Sequence, residues 1–370
     1  MSVHVRRLLA LQLTEHQLQC AVFHASTLVR YEEISLDAPA ATLTAKLTAL
    51  LEAGGKAPLV LATAIPGDRI LRLEAGPSAD EDSPGTAACD ARTGQAPSPA
   101  HPRILLSAPP EGLDAARERL KAAGFTPSHL PDATLAQLGA LLHAPPPLVS
   151  NVLVWDLGPN HSHFIVLNSR GVVAIEPCPV GLAHIHGAIQ AEIGLRFPRA
   201  AAKLFAGGEY DFSDAGPRIL GRVLPELEHT FARLTLAPTR LHITGLNRAR
   251  EWFTLAVADA LNLTPFVMDW PVFGQLNGVA FASLDLARSL PLSAGGLLLL
   301  AKQRHTHPAD ALWQPRWSDE PEPPPRPDAP AAPAHVATPP PFAATRPAAR
   351  APRRNPVLKA LGTLGANLLA

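Results

Sequence analysis

Between Asn151 and Leu167 the chain reads Asn-Val-Leu-Val-Trp-Asp-Leu-Gly-Pro-Asn-His-Ser-His-Phe-Ile-Val-Leu. An apolar run, Val152 to Trp155, turns through Asp156-Leu157-Gly158 and resumes as an alternating run from Ser162 to Leu167. Two short β-rich runs around a glycine-centred turn spell a hairpin. A carboxylate at the end of a buried strand, followed by a glycine that lets N–H groups close on an anion, suits a metal-bound phosphate. A polar turn that merely caps a sheet has the same letters, so both readings stay open on local evidence.

The 370 residues exceed a single ordinary domain and suffice for two lobes. Lys+Arg 32 offsets Asp+Glu 32, so no global charge favours nucleic acid or an anionic membrane. The 40 prolines are more than a compact fold of this size carries, which predicts linker. Cys20, Cys89 and Cys178 are too few and too widely spaced for a disulfide framework or a zinc site. The first residues read as a strand, not a signal peptide, and no apolar run is long enough to span a bilayer. These features predict a soluble, cytoplasmic body.

In order, Leu8–Leu13 and Leu18–Phe23 read as strands around a polar turn, followed by a helix over Ala40–Ala53 that stops at Gly54-Gly55. Leu59–Ile65 and Arg69–Leu73 read as strands. Residues 74–102, rich in Gly, Pro, Ser, Ala and Asp, read as a disordered loop. Ile104–Leu106 is a strand, and helices are expected over Pro110–Ala123 and Thr134–His143. The second half repeats the opening: the hairpin at Asn151–Leu167, a strand over Val172–Pro177, and helices to about Leu234. The strand Leu241–Ile243, a helix over Arg248–Leu261, a strand at Phe266–Met268 and a mostly helical Gly274–Lys302 complete it. Strand–turn–strand followed by helices, twice, predicts a pseudo-duplicated α/β plan with a cleft between halves.

Beyond that body, residues 305–354 read as a Pro/Ala-rich linker with polyproline character, with four arginines near its end. Residues 355–370 read as an amphipathic helix, with Val357, Leu361, Leu364 and Leu368 on one face flanked by Leu358 and Leu369. Gly362 and Gly365 weaken it by about 1 kcal/mol each, so it folds on contact with the body, a partner groove or a membrane face. His161 and His163, like His184 and His186, have strand-face spacing, but no nearby Cys or carboxylate set completes a metal site. They read as surface or hydrogen-bonded histidines. Glu226 and Glu228 read as solvated, and Trp313 and Trp317 in the linker as docking residues for the body or a partner.

The order of these pieces resembles the actin-like ATPase superfamily and, within it, the PilM family of type IV pilus assembly proteins. Leu59–Gly67 with Arg69–Leu73 resembles the strand pair that starts the family's small inserted subdomain. Ile104–Pro109, Leu113–Lys121 and Ala123-Gly124-Phe125 resemble its strand–helix, and Asp132–Leu142 its return helix. Asp156-Leu157-Gly158 with Ser162 resembles the second phosphate motif, Gly181–Leu195 with Ala200–Lys203 the helices after it, and Thr244-Gly245 the adenosine motif. The implied fold is a duplicated, ribonuclease H-like two-lobe α/β fold with a small inserted α/β subdomain and a disordered Pro-rich C-terminal linker. Its implied divisions are residues 1–58 for the start of the first lobe, 59–130 for the insert, 131–150 for the return helix and 151–304 for the second lobe.

The implied cofactor is ATP with Mg2+, held through Asp156, Gly158, Ser162, Lys203 and Gly245. The first phosphate motif departs from the family: Gln12 and Thr14 stand where it has Asp and Gly. An amide cannot supply the charge that holds a hard cation's water, and Thr14 has a Cβ where the backbone must approach phosphate. Leu246 follows Gly245 where adenine is expected, and Pro159 removes an N–H from the second turn. The resemblance therefore implies an ATPase-impaired scaffold, with ATP binding weak or lost. It lies on the cytoplasmic side of a type IV pilus or type II secretion inner-membrane platform. There it grips the N-terminal cytoplasmic peptide of a bitopic membrane partner beside the insert, with membrane contact through residues 355–370 and no nucleic acid. An FtsA-like membrane anchor and an actin-fold small-molecule kinase are the alternatives.

Overall fold

The structure is a computed structural model that describes residues 7–303, apart from 15–16, 37–39, 55–58, 66, 77–85, 93–99, 126–129, 131, 145–149, 208–209 and 247–249. The linker 305–354, with Trp313 and Trp317, and the segment 355–370, with Val357, Leu358, Leu361, Leu364 and Leu368, lie outside the described residues.

Strands β1 (Arg7–Leu13), β2 (Gln17–His24) and β3 (Thr27–Ser35) form an antiparallel meander. Leu8 to Leu13 and Gln17 to Phe23 are buried on both faces of the sheet, which is why Leu8–Leu11 and Cys20–Phe23 read as continuous apolar runs rather than alternating ones. Helix α1 (Ala40–Gly54) crosses over to β4 (Leu59–Ala64), which lies parallel to β1. The second sheet repeats the plan. Strands β8 (Val152–Leu157), β9 (Ser162–Asn168) and β10 (Gly171–Cys178) are antiparallel, and β11 (Arg240–Ile243) joins β8 in parallel. Between β10 and β11 run helices α4 (Leu182–Ile193), α5 (Pro198–Ala206) and α6 (Gly216–Ala232). Helix α7 (Glu251–Ala260) leads from β11 to the short β12 (Thr264–Pro265). The strand orders β3-β2-β1-β4 and β10-β9-β8-β11 match one another, so β1 and β8 hold equivalent central places.

A third, antiparallel sheet belongs to the insert: β5 (Ile70–Glu74), β7 (Arg103–Ser107) and β6 (Thr86–Asp90), in the order β5-β7-β6, followed by helix α2 (Pro110–Ala122). Two expectations change here. The strand over Leu59–Ala64 is part of the first lobe's sheet, so the insert begins after it and not at residue 59. Residues 86–90, placed within a disordered loop by composition, form β6. Small residues such as Ala87 and Ala88 carry little strand signal, and pairing with β7 supplies what they lack.

The second lobe also ends earlier than 304. Helix α8 (Trp270–Asn277), strand β13 (Ala280–Phe281), helix α9 (Leu284–Arg288) and helix α10 (Ala294–Gln303) return to the first lobe. Strand β13 pairs with the edge of β3, and α10 packs on α3 (Ala133–Leu142). Phe266 and Met268, expected in a strand, instead bury their side chains in the core cluster that the first lobe shares with the inner faces of β8, β9 and the insert, while Val267 between them is 79% exposed. Helices α3 and α10 touch closely: a Cβ on Gly295 would lie 2.8 Å from Ala140 Cβ. Asp132 caps α3, accepting from Thr134 N at 2.7 Å and Leu135 N at 3.3 Å.

Leu298 is fully buried in this returning segment. Leu298→Ala should lower unfolding free energy in urea by about 2–5 kcal/mol, the range for a truncation that leaves a cavity. A loss below about 1 kcal/mol would contradict the packing of α10 on the first lobe.

Candidate functional site between the lobes

Strand β8 ends by delivering Asp156 to the interior, where the residue is 0% exposed. A buried carboxylate requires a cation and donors, and this one has both. Its Oδ1 accepts from Arg69 Nη2 at 2.5 Å, from Thr134 Oγ1 at 2.7 Å and from Thr244 Oγ1 at 2.8 Å. Thr134 opens α3 in the first lobe, Thr244 follows β11 in the second, and Arg69 lies on the crossing from β4 into the insert. Arg69 Nη2 also donates to Thr134 Oγ1 at 2.7 Å, and Nη1 donates to the Gly67 carbonyl at 3.2 Å. Asp132 Oδ2 stands 4.0 Å from Arg69 Nε. Removing one member of such a pair typically destabilises by about 3–5 kcal/mol, because a bare charge stays behind.

The protonation states follow from this crowding. Burial alone would raise Asp156, but the Arg69 guanidinium, helped by the two threonine hydroxyls, holds it below the usual carboxylate range. Asp132 is more weakly paired, and burial pushes it up to about 6 against the pull of Arg69. His163 packs beside them with Nδ1 3.9 Å from Asp156 Oδ2, while its Nε2 accepts from Leu71 N at 3.2 Å. Burial lowers it to about 4, so it is neutral with the proton on Nδ1.

The turn after Asp156 closes on itself. A Cβ on Gly158 would lie 2.4 Å from the His161 carbonyl oxygen and 3.9 Å from Arg69 Nη1, so glycine is required by the turn's own backbone. Asn160 N donates to Asp68 Oδ1 at 3.0 Å, and its side-chain amide donates to Asp68 Oδ2. Ser162 is buried: its Oγ accepts from Trp155 Nε1 and donates to the Val180 carbonyl, both at 2.6 Å. The first amides of α4 are likewise engaged, Leu182 N with Gly158 O at 2.9 Å and Ala183 N with Pro159 O at 2.8 Å.

At the equivalent place in the first lobe, Gln12 is fully buried in a chain of side-chain amides. It donates to Gln19 Oε1 at 3.0 Å and accepts from Gln137 Nε2 at 3.2 Å, and Gln19 Nε2 donates to Ser293 Oγ at 2.8 Å. Thr14 N and Oγ1 both donate to the Gln17 carbonyl, at 2.9 and 3.2 Å. The residues at the two turns therefore do not fit a magnesium–phosphate pair. The one carboxylate that could face the cation is bonded to Arg69, and Gln12 is bonded to other amides.

A cavity of about 340 Å³ lies over the two turns. Its apolar walls include Leu13, Ile65, Leu157 and Leu182. Helix α2 of the insert contributes Ala115, Ala116 and Arg119, and Thr14, Gly245 and Arg250 complete the lining. Arg119 Nη1 donates to Thr14 O at 3.4 Å, and the Arg250 guanidinium stacks 4.9 Å from the centre of the Phe205 ring. The cavity thus brings Thr14 and Gly245 together. Asp156, Ser162 and Gln12 are buried and absent from its lining, and Lys203 is exposed on α5 and absent from it as well. Leu246, expected to obstruct an adenine, is buried in the second-lobe core instead. His184 Nδ1 accepts from Gly181 N at 3.2 Å, Glu226 and Glu228 are exposed, and no three metal-ligating side chains cluster among the described residues.

No family model and no curated protein sequence matches the chain. Among solved structures, a PilM–PilN type IV pilus biogenesis complex is 18% identical, covers 80% of this chain and 98% of its own, and superposes with a TM-score of 0.52. The chain has the actin-like ATPase fold. Two further likenesses are the ethanolamine utilization protein EutJ from Carboxydothermus hydrogenoformans and a protein with actin-like ATPase fold from Bacteroides thetaiotaomicron. The first is 13% identical, with 79% of this chain and 89% of that one covered and a TM-score of 0.40. The second is 7% identical, with 80% and 96% covered and also 0.40. Within this actin-like fold, sequence reasoning overlooked Asp68, Arg69, Asp132 and Thr134 as parts of the cleft. The available signal was an imbalance: Asp156 ends a wholly apolar strand while its expected acidic counterpart is Gln12, so some cation had to come from elsewhere.

His163 and His242 are both held at about 4 by burial, below the ordinary 6.5. The unfolded chain therefore takes up their protons first, and their contribution, complete above pH 6.5, is lost as pH falls toward 4. Asp132, at about 6 instead of 3.8, opposes one of the two between those values. Net, urea stability should fall by about 1.4 kcal/mol per pH unit from pH 6 to 4, and His242→Asn should flatten that slope. A stability that rises on acidification would contradict the neutral, buried histidines.

Proposed function

We propose that this chain is an actin-fold scaffold on the cytoplasmic side of a type IV pilus or type II secretion inner-membrane platform, impaired as an ATPase. It holds a short N-terminal cytoplasmic peptide of a bitopic membrane partner. The observation that carries the reading is the internal bonding of both phosphate turns. Phosphoryl chemistry needs a bound cation and preorganised donors together, and here Asp156, Asn160, Ser162 and Gln12 are bonded within the chain. What persists is shape, over nearly the whole length of a PilM solved with PilN. The cavity beside α2 suits a peptide: apolar walls for one or two anchors, with Arg119 and Arg250 for a carboxylate or carbonyl.

Among the described residues no helix is long and apolar enough to cross a membrane. Contact with the inner membrane is assigned to residues 355–370, presented by the linker and helped by its arginines.

Fluorescence anisotropy with peptides from the cytoplasmic ends of single-span membrane proteins encoded beside this chain tests the reading. One should bind at micromolar affinity or tighter, and Ala115→Trp, which fills the cavity from α2, should weaken it at least tenfold, about 1.4 kcal/mol. No binding, or binding indifferent to Ala115→Trp, would contradict it. Calorimetry with ATP and magnesium should find no binding tighter than about 1 μM. Tighter binding that is lost on Asp156→Ala would end the ATPase-impaired reading.

A further inference from the structure

Asp68 and Arg69 are adjacent in sequence and divide between them two chemical roles. The Arg69 guanidinium, buried, sits under Gly158 and neutralises Asp156, the carboxylate that in a phosphate turn would face a cation. Asp68 presents two carboxylate oxygens to the backbone and side-chain amides of Asn160, which is where such a turn would donate to an anion. His161 Nδ1 lies 3.8 Å from the same carboxylate. A positive group on the acid and a negative group on the turn amides, in that order, reproduce the charge pattern of a metal-bound phosphate.

We propose that the Asp68–Arg69 dipeptide is a resident substitute for the phosphate–cation pair, holding the second turn and the two lobes together in the absence of any ligand. Arg69 reaches both lobes at once: Thr134 and Asp132 on one side, and Asp156, itself bonded to Thr244, on the other. The crossing from β4 into the insert is thereby tied to the second lobe, and β5 follows with Leu71 N on the His163 ring. Lobe closure in this chain is set by folding, so a nucleotide has no differential contact with which to shift it. This inference does not depend on the partner: a chain that binds no peptide could still carry it.

Thermal unfolding of the full chain and of two variants, each with magnesium chloride, sodium pyrophosphate, both together and methylguanidinium, provides the test. The native chain should keep its Tm under all four. Asp68→Ala, at a partly exposed position, frees the Asn160 amides, and pyrophosphate should now raise its Tm by roughly 5 °C at hundredfold excess over Kd. Arg69→Ala should lower Tm, and magnesium or methylguanidinium should recover part of the loss. The proposal is overturned if the native chain is stabilised by magnesium pyrophosphate as much as Asp68→Ala is. It is equally overturned if Asp68→Ala is indifferent to pyrophosphate, or if a folded Arg69→Ala is indifferent to both cations. Should Arg69→Ala fail to fold, the Asp68→Ala comparison decides alone.

Discussion

A carboxylate excluded from water must be matched, and Asp156 is matched by an arginine that the chain itself delivers. Much of the central architecture is arranged around that necessity. Strand β8 places the acid, the N-terminus of α3 and the end of β11 supply hydroxyls, and the link from β4 to β5 supplies the guanidinium. Each of these comes from a different part of the duplicated plan, so the pair can form only when both lobes and the insert are assembled. An ion pair of this kind adds little net stability over an apolar substitute, yet breaking it is severe.

The same arrangement fills an actin-like cleft with the chain's own side chains. The first turn is closed by amides, Gln12 bonding to Gln19 and Gln137, with Gln19 reaching on to Ser293 and Glu33. The second is closed by Asp68 and Arg69. Beside them lies the cavity, with apolar walls and with Arg119 and Arg250 in its lining.

Much of this fold was legible in the order of its strands and turns, because a twice-repeated strand–turn–strand pattern admits few arrangements. The hairpin at Asn151–Leu167 formed as β8 and β9 for the reason its residues suggest: apolar runs on either side of a turn that needs glycine at 158. The boundaries were less legible. Residues 266–303 look locally like more of the second lobe, and long-range contacts show where the end of this stretch belongs: β13 pairs with β3, and Leu297 and Leu298 are buried where α10 packs on α3 and β1. Strand β6 was hidden by small side chains whose order comes from pairing. In the site, Asp156 was visible as a motif, but Arg69 was not. Its partner is 87 residues away, and a single arginine at the head of a strand carries no local sign that it is buried.

Native-state hydrogen exchange at the Asn160 backbone amide tests the central claim most directly, since that proton is bonded to Asp68 here. The account predicts slow exchange in the ligand-free chain, unchanged when magnesium and ATP are added. Fast exchange in the free chain that becomes slow only with magnesium and ATP would contradict it.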